Sequence, residues 1–332
     1  MTSDPLTPPP LAHAEEPTAP PAFRVLVVCE GVFGRDRRQR EAARAIHEAF
    51  ESGHGRAAPM AAINLSGRAK GGIKKAGPAT MAKLHAFFDG DPAPGVGVRR
   101  YGPVLEVADE PWLPFFGIEQ SGGSFDIEIA VPPEPQPELA EVVGAALPDL
   151  GVACAVMGYG FWFPPRLSSL VAHIGRKAEE WPAAIAVDAA TARAVAIEDF
   201  GRGLRGGDLV RWWKGPTGLA DIGWRTVIGE PFRERLPDLS GLAARDGITV
   251  VDGPVVTITA APEPVWGWAA RSDQPDGDGP NGAALLENHR AVSRALRPVR
   301  AQGHEAARAN FRSAASHGDE PTECQRYFDR LD

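Results

Sequence analysis

Cysteine is scarce, with Cys29, Cys154 and Cys324 the only three in 332 residues. An odd number so widely spaced supports neither a disulfide framework nor a zinc knuckle. Long apolar runs are missing too. The longest, residues 152–165, is interrupted by Gly158 and Gly160, and a membrane helix needs about 20 residues. Residues 1–21 hold seven prolines and no Lys or Arg, so they lack the positive start and apolar stretch of a secretory signal. A soluble, cytoplasmic protein is expected. Excess positive charge is absent as well: 35 basic against 43 acidic residues leave a net charge of −8. That argues against a protein held on nucleic acid by its phosphates.

The common catalytic signatures are also lacking. There is no G-x-S-x-G elbow, no GxxxxGK[ST] phosphate loop and no H-E-x-x-H helix. Ser121-Gly-Gly-Ser124 opens a strand rather than a helix and reads as a turn. The glycines of residues 201–206 are spaced like part of a dinucleotide fingerprint, but they neither follow a strand nor open a helix. The eight histidines show no paired spacing that would clasp a metal. His47 is expected on a helix surface, and His289 on an apolar stripe as a satisfied core residue. Asp273, Asp276 and Asp278 have some metal-like character, but a calcium loop also needs a closing Glu at a fixed offset, and none is present. The expectation is no catalytic residue, no metal and no cofactor.

What is present is globular. Hydrophobic residues at 43% and charged residues at 23% exclude wholesale disorder. A Pro/Ala-rich disordered tail is expected over 1–21 and a loosely docked polar tail over 303–332. The domain between them, 22–302, falls into halves at 22–165 and 166–302.

Residues 23–29 are apolar except for Arg24, the pattern of a central strand buried on both faces. Asp36 can cap a helix over 37–52 that carries Ala42, Ala43, Ile46, Ala49 and Phe50 on one face, with Gly53 to stop it. Strands are expected over 104–107 and 124–131. In the second, Phe125, Ile127, Ile129 and Val131 alternate with Ser124, Asp126 and Glu128, which predicts a half-buried strand with a wet acidic face. A helix over 137–147 and a buried strand over 152–163 follow. The order strand–helix–strand–strand–helix–strand predicts an α+β fold, a mixed or antiparallel sheet with helices packed on it and a ferredoxin-like first half.

The second half is less regular. Helices are expected over 167–181, near 231–235 and over 281–301, with a short strand at 224–229. Asp252-Gly253 lies between two β-rich runs, 248–251 and 255–259, a strong hairpin signal.

Charge is segregated along the chain. Residues 54–100 carry eight Lys or Arg and two Asp, whereas residues 101–165 have no Lys or Arg at all. The acidic section holds Glu106, Asp109, Glu110, Glu119, Asp126, Glu128, Glu134, Glu138, Glu141 and Asp149. Such a surface would steer a basic partner and repel nucleic acid; as a plain solvated face it would aid solubility. The pairs Trp212/Trp213 and Trp266/Trp268 could add aromatic anchors, with at least one ring of each expected in the core.

Four segments carry a family resemblance. They are Gly158-Tyr-Gly160 at the end of a buried strand, Ile222-Gly-Trp224-Arg-Thr-Val-Ile-Gly229, Ala260-Ala-Pro262-Glu-Pro264-Val-Trp-Gly267 and Ala295-Leu-Arg-Pro-Val-Arg300. In order and spacing, over about 22–302, they resemble the type VI secretion immunity proteins paired with VRR-NUC nuclease effectors. The second segment is similar to that family's Trp-x-Thr-x-hydrophobic-Gly. Where the family tends to have Gly-Asp, this chain has Gly267-Trp268, which leaves Asp273 to take over the acidic position or leaves it lost. Residues 67–77 look like an insertion.

The resemblance implies a cytoplasmic protein that binds and neutralises a cognate toxin without catalysis. The partner would be a basic nuclease encoded by a neighbouring gene, with neither nucleic acid nor membrane as a target. Partner-binding residues are then expected among Glu106, Asp109, Glu110, Asp126, Glu128, Trp266, Trp268, Asp273, Asp276 and Asp278. A hydrolase-like enzyme with a dispersed acidic site, served by the loop around Asp276, is the rival reading. A structural interaction module is a third.

Overall fold

The computed structural model describes residues 8, 10–13, 16–34, 36–64, 72–90, 97–105, 110–111, 113–121, 123–163, 181–197, 203–205, 208–210, 218–267, 282–301, 327 and 329–332. The first half runs β1 (Leu11–His13), β2 (Glu16–Ala19), β3 (Pro21–Glu30), α1 (Arg37–His54), β4 (Met60–Asn64), β5 (Lys74–Lys75), α2 (Pro78–Asp89) and β6 (Gly97–Tyr101). It continues through β7 (Val104–Leu105), β8 (Glu110–Pro111), β9 (Phe115–Ser121), β10 (Ser124–Val131), α3 (Pro137–Leu150) and β11 (Val152–Phe161). The second half contributes α4 (Ala189–Ala196), β12 (Gly203–Arg205), β13 (Asp208–Val210), β14 (Arg225–Ile228), α5 (Glu230–Arg233) and α6 (Ser240–Ala243). It ends with β15 (Thr249–Asp252), β16 (Val256–Thr259) and α7 (Gly282–Ala295).

Ten strands form one antiparallel sheet in the order β15-β16-β14-β11-β3-β10-β9-β6-β4-β5. The fold is α+β. Within the sheet, β11-β3-β10-β9 with α1 and α3 has the split βαβ pairing of the expected ferredoxin-like unit, but its second strand is β9 rather than the expected 104–107. The second half extends that unit by β14, β16 and β15, so one sheet runs through both halves.

Local chemistry sets the elements. The Asp36 carboxylate accepts from the Gln39 N–H at 2.8 Å, satisfying one of the free donors at the start of α1. α3 ends at Gly151, whose φ of 69° lies in the left-handed region glycine tolerates. Gly160 makes a close approach instead: a Cβ there would lie 2.2 Å from the Ile185 carbonyl oxygen. That closeness lets Phe161 N–H donate to Ile185 and Ile185 N–H donate to Tyr159, each at 2.9 Å. The bare backbone of Gly158-Tyr-Gly160 thus ties the segment 181–197 to β11.

The sheet is covered on both faces. Phe23, Val25, Val27 and Cys29 of β3 and Phe125, Ile127, Ile129 and Val131 of β10 enter an apolar core with residues of α1, α2 and α3. Leu26 and Val28 point the other way, into a second core built with 181–197, Phe232, Leu242 and α7.

Several expectations change. β10 is buried along its whole length, because α4 packs on β3 and β10 over the face expected to be wet. His47 is not on a helix surface. It is 2% exposed, lies between Phe88 and Phe116, and has Nε2 3.3 Å from Glu51. The segment 1–21 includes the β1–β2 ladder and the first residue of β3, with Ala19 fully buried. At the other end Tyr327 and Leu331 are buried in the second core rather than loosely docked. Of the strand expected over 104–107, Val104 and Leu105 pair with β8 outside the main sheet, and residues 106–107 lie outside the described residues. The helix expected over 167–181 lies almost entirely outside the described residues.

Candidate functional site

The expected partner surface is where the structure departs most from the sequence reading. Asp126 and Glu128 are 4% and 8% exposed, so they offer no outward face. The alternation of β10 is real, but both of its faces are covered.

Two arginines explain how the charges are tolerated. Arg24 interrupts the apolar run of β3 and is fully buried. Its Nη2 donates to Glu128 Oε1 at 2.5 Å, and its Nη1 donates to the carbonyls of Phe161 at 2.9 Å and Val187 at 2.6 Å. Arg193, one turn from the end of α4, places Nε 2.6 Å from Asp126 Oδ2. Asp188 caps the same helix, accepting from the Thr191 N–H at 2.6 Å, and sends a third carboxylate into the cluster.

A cavity of about 100 Å³ reaches this cluster, lined among others by Arg99, Phe115, Glu119, Asp126, Glu128 and Asp188. Arg99 and Glu119 form an ion pair in its wall. Loss of water pushes the Asp126 carboxyl up to about 7; Glu128 and Asp188 add to the rise and Arg193 opposes it. Burial raises Glu128 as well, against the pull of Arg24. The arrangement can hold and exchange a proton near neutral pH. The titratable groups lining it are carboxylates and Arg99, with no Ser, Cys or His. Burial raises the Cys29 thiol and pushes Cys154 up to about 12, which keeps both as inert thiols.

A second buried knot closes the far side of the same core. Asp221 receives the Tyr327 hydroxyl and the Arg330 guanidinium, and Ala186 N–H donates to the Tyr327 oxygen at 2.9 Å. Asp332 pairs with Arg300 at 2.5 Å. The knot joins 181–197, the loop before β14 and the last residues described.

The remaining expected residues divide as follows. Trp266 is 3% exposed, stacked on Tyr159 at 5.0 Å and against Phe161 at 5.5 Å, so it is core rather than anchor. Glu110 lies in β8, opposite Leu105. Glu106, Asp109, Trp268, Asp273, Asp276 and Asp278 lie outside the described residues, as do Trp212 and Trp213. His289 is a core residue as expected, with Nδ1 2.9 Å from the Leu285 carbonyl oxygen and burial lowering its pKa, but its buried Nε2 meets no hydrogen-bond partner among the described residues, so it is only half satisfied. Among the described residues, no group of three or more His, Cys, Asp or Glu could hold a metal ion. No helix among them is long and apolar enough to cross a membrane.

The segments behind the family resemblance have structural tasks. Trp224 donates from Nε1 to the Ala261 carbonyl at 2.7 Å, joining two of them, and buried Thr226 Oγ1 accepts from Gly223 N–H at 3.2 Å. Sequence reasoning missed Arg24, Arg193 and Asp188. Arg24 alone left a signal, since a lone arginine inside a central strand requires a buried acceptor.

No protein-family model matches the chain, and no curated protein does. Among solved structures, the chain is similar to a T6SS protein of Pseudomonas aeruginosa, with a TM-score of 0.67 at 12% identity, covering 98% of this chain and 87% of that one. At that identity what the two chains share is the fold, across nearly the whole of this one.

Proposed function

We propose that this protein is a T6SS-associated immunity protein that binds a cognate secreted effector and neutralises it without turnover of its own. The fold shared with a T6SS protein of Pseudomonas aeruginosa carries the reading. The ordered segments around Gly158, Trp224, Pro262 and Pro298 support it from the sequence. The buried charges are consistent with it, because Glu128 and Asp126 are paired with Arg24 and Arg193. The effector is a nuclease of basic character, and the complex forms in the cytoplasm.

Coexpression tests this. The neighbour-encoded effector should arrest growth when expressed alone in a heterologous cytoplasm, and this chain should restore growth and copurify with it. Unrelieved arrest with the chain soluble and abundant would sink the reading.

One observation favours a second reading, an enzyme with a dispersed acidic site: Asp126 titrates near neutrality beside a cavity. Hydrolysis of generic ester, phosphate or nucleic-acid substrates by the purified chain, lost on Asp126→Asn, would establish it.

A further inference from the structure

The two edges of the ten-stranded sheet are finished differently. At one end β5 is two residues long and both are exposed lysines, a common guard against strand pairing. At the other end β15 has neither proline nor lysine. It pairs with β16 on one side, and among the described residues no strand pairs with its other side. In an antiparallel pair, alternate residues turn their N–H and C=O away from the partner strand. β15 therefore offers backbone donors and acceptors outward. Val251, 56% exposed, is the large apolar side chain left in solvent among the described residues.

Beside this edge lies a groove of about 440 Å³ between β15 and the segment from α5 to α6. Leu236, Leu239, Ala243, Val250 and Val256 supply apolar lining, and Arg233 and Asp252 close one end as an ion pair. Val250 packs on the same core as buried Val256 and Ile258. A strand added beside β15 would set alternate side chains on that face, over the groove.

We propose that the free edge of β15 is the docking site for an extended segment of a basic protein partner, which adds as a further strand and seats an apolar side chain in the groove. This rests on the reading that the chain works by binding an effector. Charge selects the occupant. In the segment 230–248, which flanks the groove and leads into β15, Glu230, Glu234, Asp238 and Asp246 are exposed against Arg235 and Arg245, while Arg233 is engaged by Asp252. The rim is acidic and suits a strand with Lys or Arg on its flanks. A second copy of the chain fits less well. Two such rims would oppose each other, and a four-residue strand buries far less than the ~1,000 Å² a stable dimer interface needs.

Hydrogen exchange on the full chain, alone and with the purified neighbour-encoded effector, tests the proposal. Residues 249–252 should gain at least tenfold protection on complex formation. Val251→Lys and Ala243→Arg replace exposed side chains, so both variants should keep the wild-type thermal midpoint and bind at least tenfold more weakly. A complex that leaves exchange at 249–252 unchanged, with both variants binding like wild type, overturns the docking site and leaves the immunity reading standing. Absence of any complex with wild type overturns both. Protection of these amides in the chain alone, together with dimerisation in sedimentation, overturns the proposal in favour of self-pairing.

Discussion

The two faces of β10 are buried alike and built differently. Phe125, Ile127, Ile129 and Val131 meet an apolar cluster under α1 and α3, with the titratable His47 against its Phe88 and Phe116. Asp126 and Glu128, on the other face, meet α4 and two guanidiniums. An apolar face tolerates loss by degrees, because each missing methylene costs its own contacts and a small void. A charged face behaves all or none: removing one member leaves its partner desolvated and uncompensated. Alternation along a strand therefore reports polarity, and exposure has to be established separately.

Arg24→Ala should show the largest effect. It strips Glu128 of its partner and leaves the Phe161 and Val187 carbonyls without their donor, so a loss of about 3–5 kcal/mol is expected in urea unfolding. Arg24→Met with Glu128→Leu should recover only part of it. Removing both charges cancels the stranded carboxylate, but the carbonyls still lack a donor, at about 1–3 kcal/mol each. Full recovery would mean that the charged face is no more demanding than the apolar one.

The pH dependence follows from Asp126. Its carboxyl sits at about 7 in the folded chain against 3.8 for the free group, so the folded state binds this proton more tightly than the unfolded state. Stability is therefore highest when the group is protonated, and it falls as pH rises from about 4 to 7, with a limiting slope near 1.4 kcal/mol per unit. Urea midpoints at pH 5, 6, 7 and 8 should drop and then level off. Asp126→Asn should flatten the drop. A rise over the same interval would show that the attraction to Arg193 outweighs desolvation.

How much of this was legible depends on the distance over which each feature is determined. The cap at Asp36, the period of α1, the hairpin at Asp252-Gly253 and the strands β3, β10 and β11 follow from local pattern, whereas β9, which completes the β11-β3-β10-β9 order, lies far along the chain from β3 and is not among the expected strands. The burial of Asp126 and Glu128 does not, because their partners stand on distant elements: Arg24 is 104 positions from Glu128, and Arg193 belongs to a helix that composition alone does not distinguish from a loop. The charge run over 101–165 is genuine in sequence, yet two of its members are spent inside the molecule. The wet acidic face failed for that reason.

On the apolar face, Ile127→Val removes one methylene from a fully buried side chain and should cost about 0.5–1.5 kcal/mol, with no change in the pH profile. That independence from pH sharpens the contrast. A pH-dependent loss at Ile127 would show that the two faces are coupled through the strand.

The smallest effect is expected at Asp188. Its carboxylate caps α4 through the Thr191 N–H and also raises both Asp126 and Glu128 as a like charge. Asn caps a helix about as well as Asp, so Asp188→Asn keeps the hydrogen bond and deletes only the repulsion. Overall stability near pH 7 should change by less than about 1 kcal/mol, since the cap is retained and one buried like charge is relieved. The titration should move even so. With one fewer carboxylate nearby, the Asp126 midpoint falls below that of the wild type, and the drop in urea midpoint shifts to lower pH. Carboxyl-detected NMR titration of Asp126 in the two proteins reads this directly. An unchanged midpoint would show that Asp188 adds nothing to the proton affinity of Asp126 and acts there only as a cap.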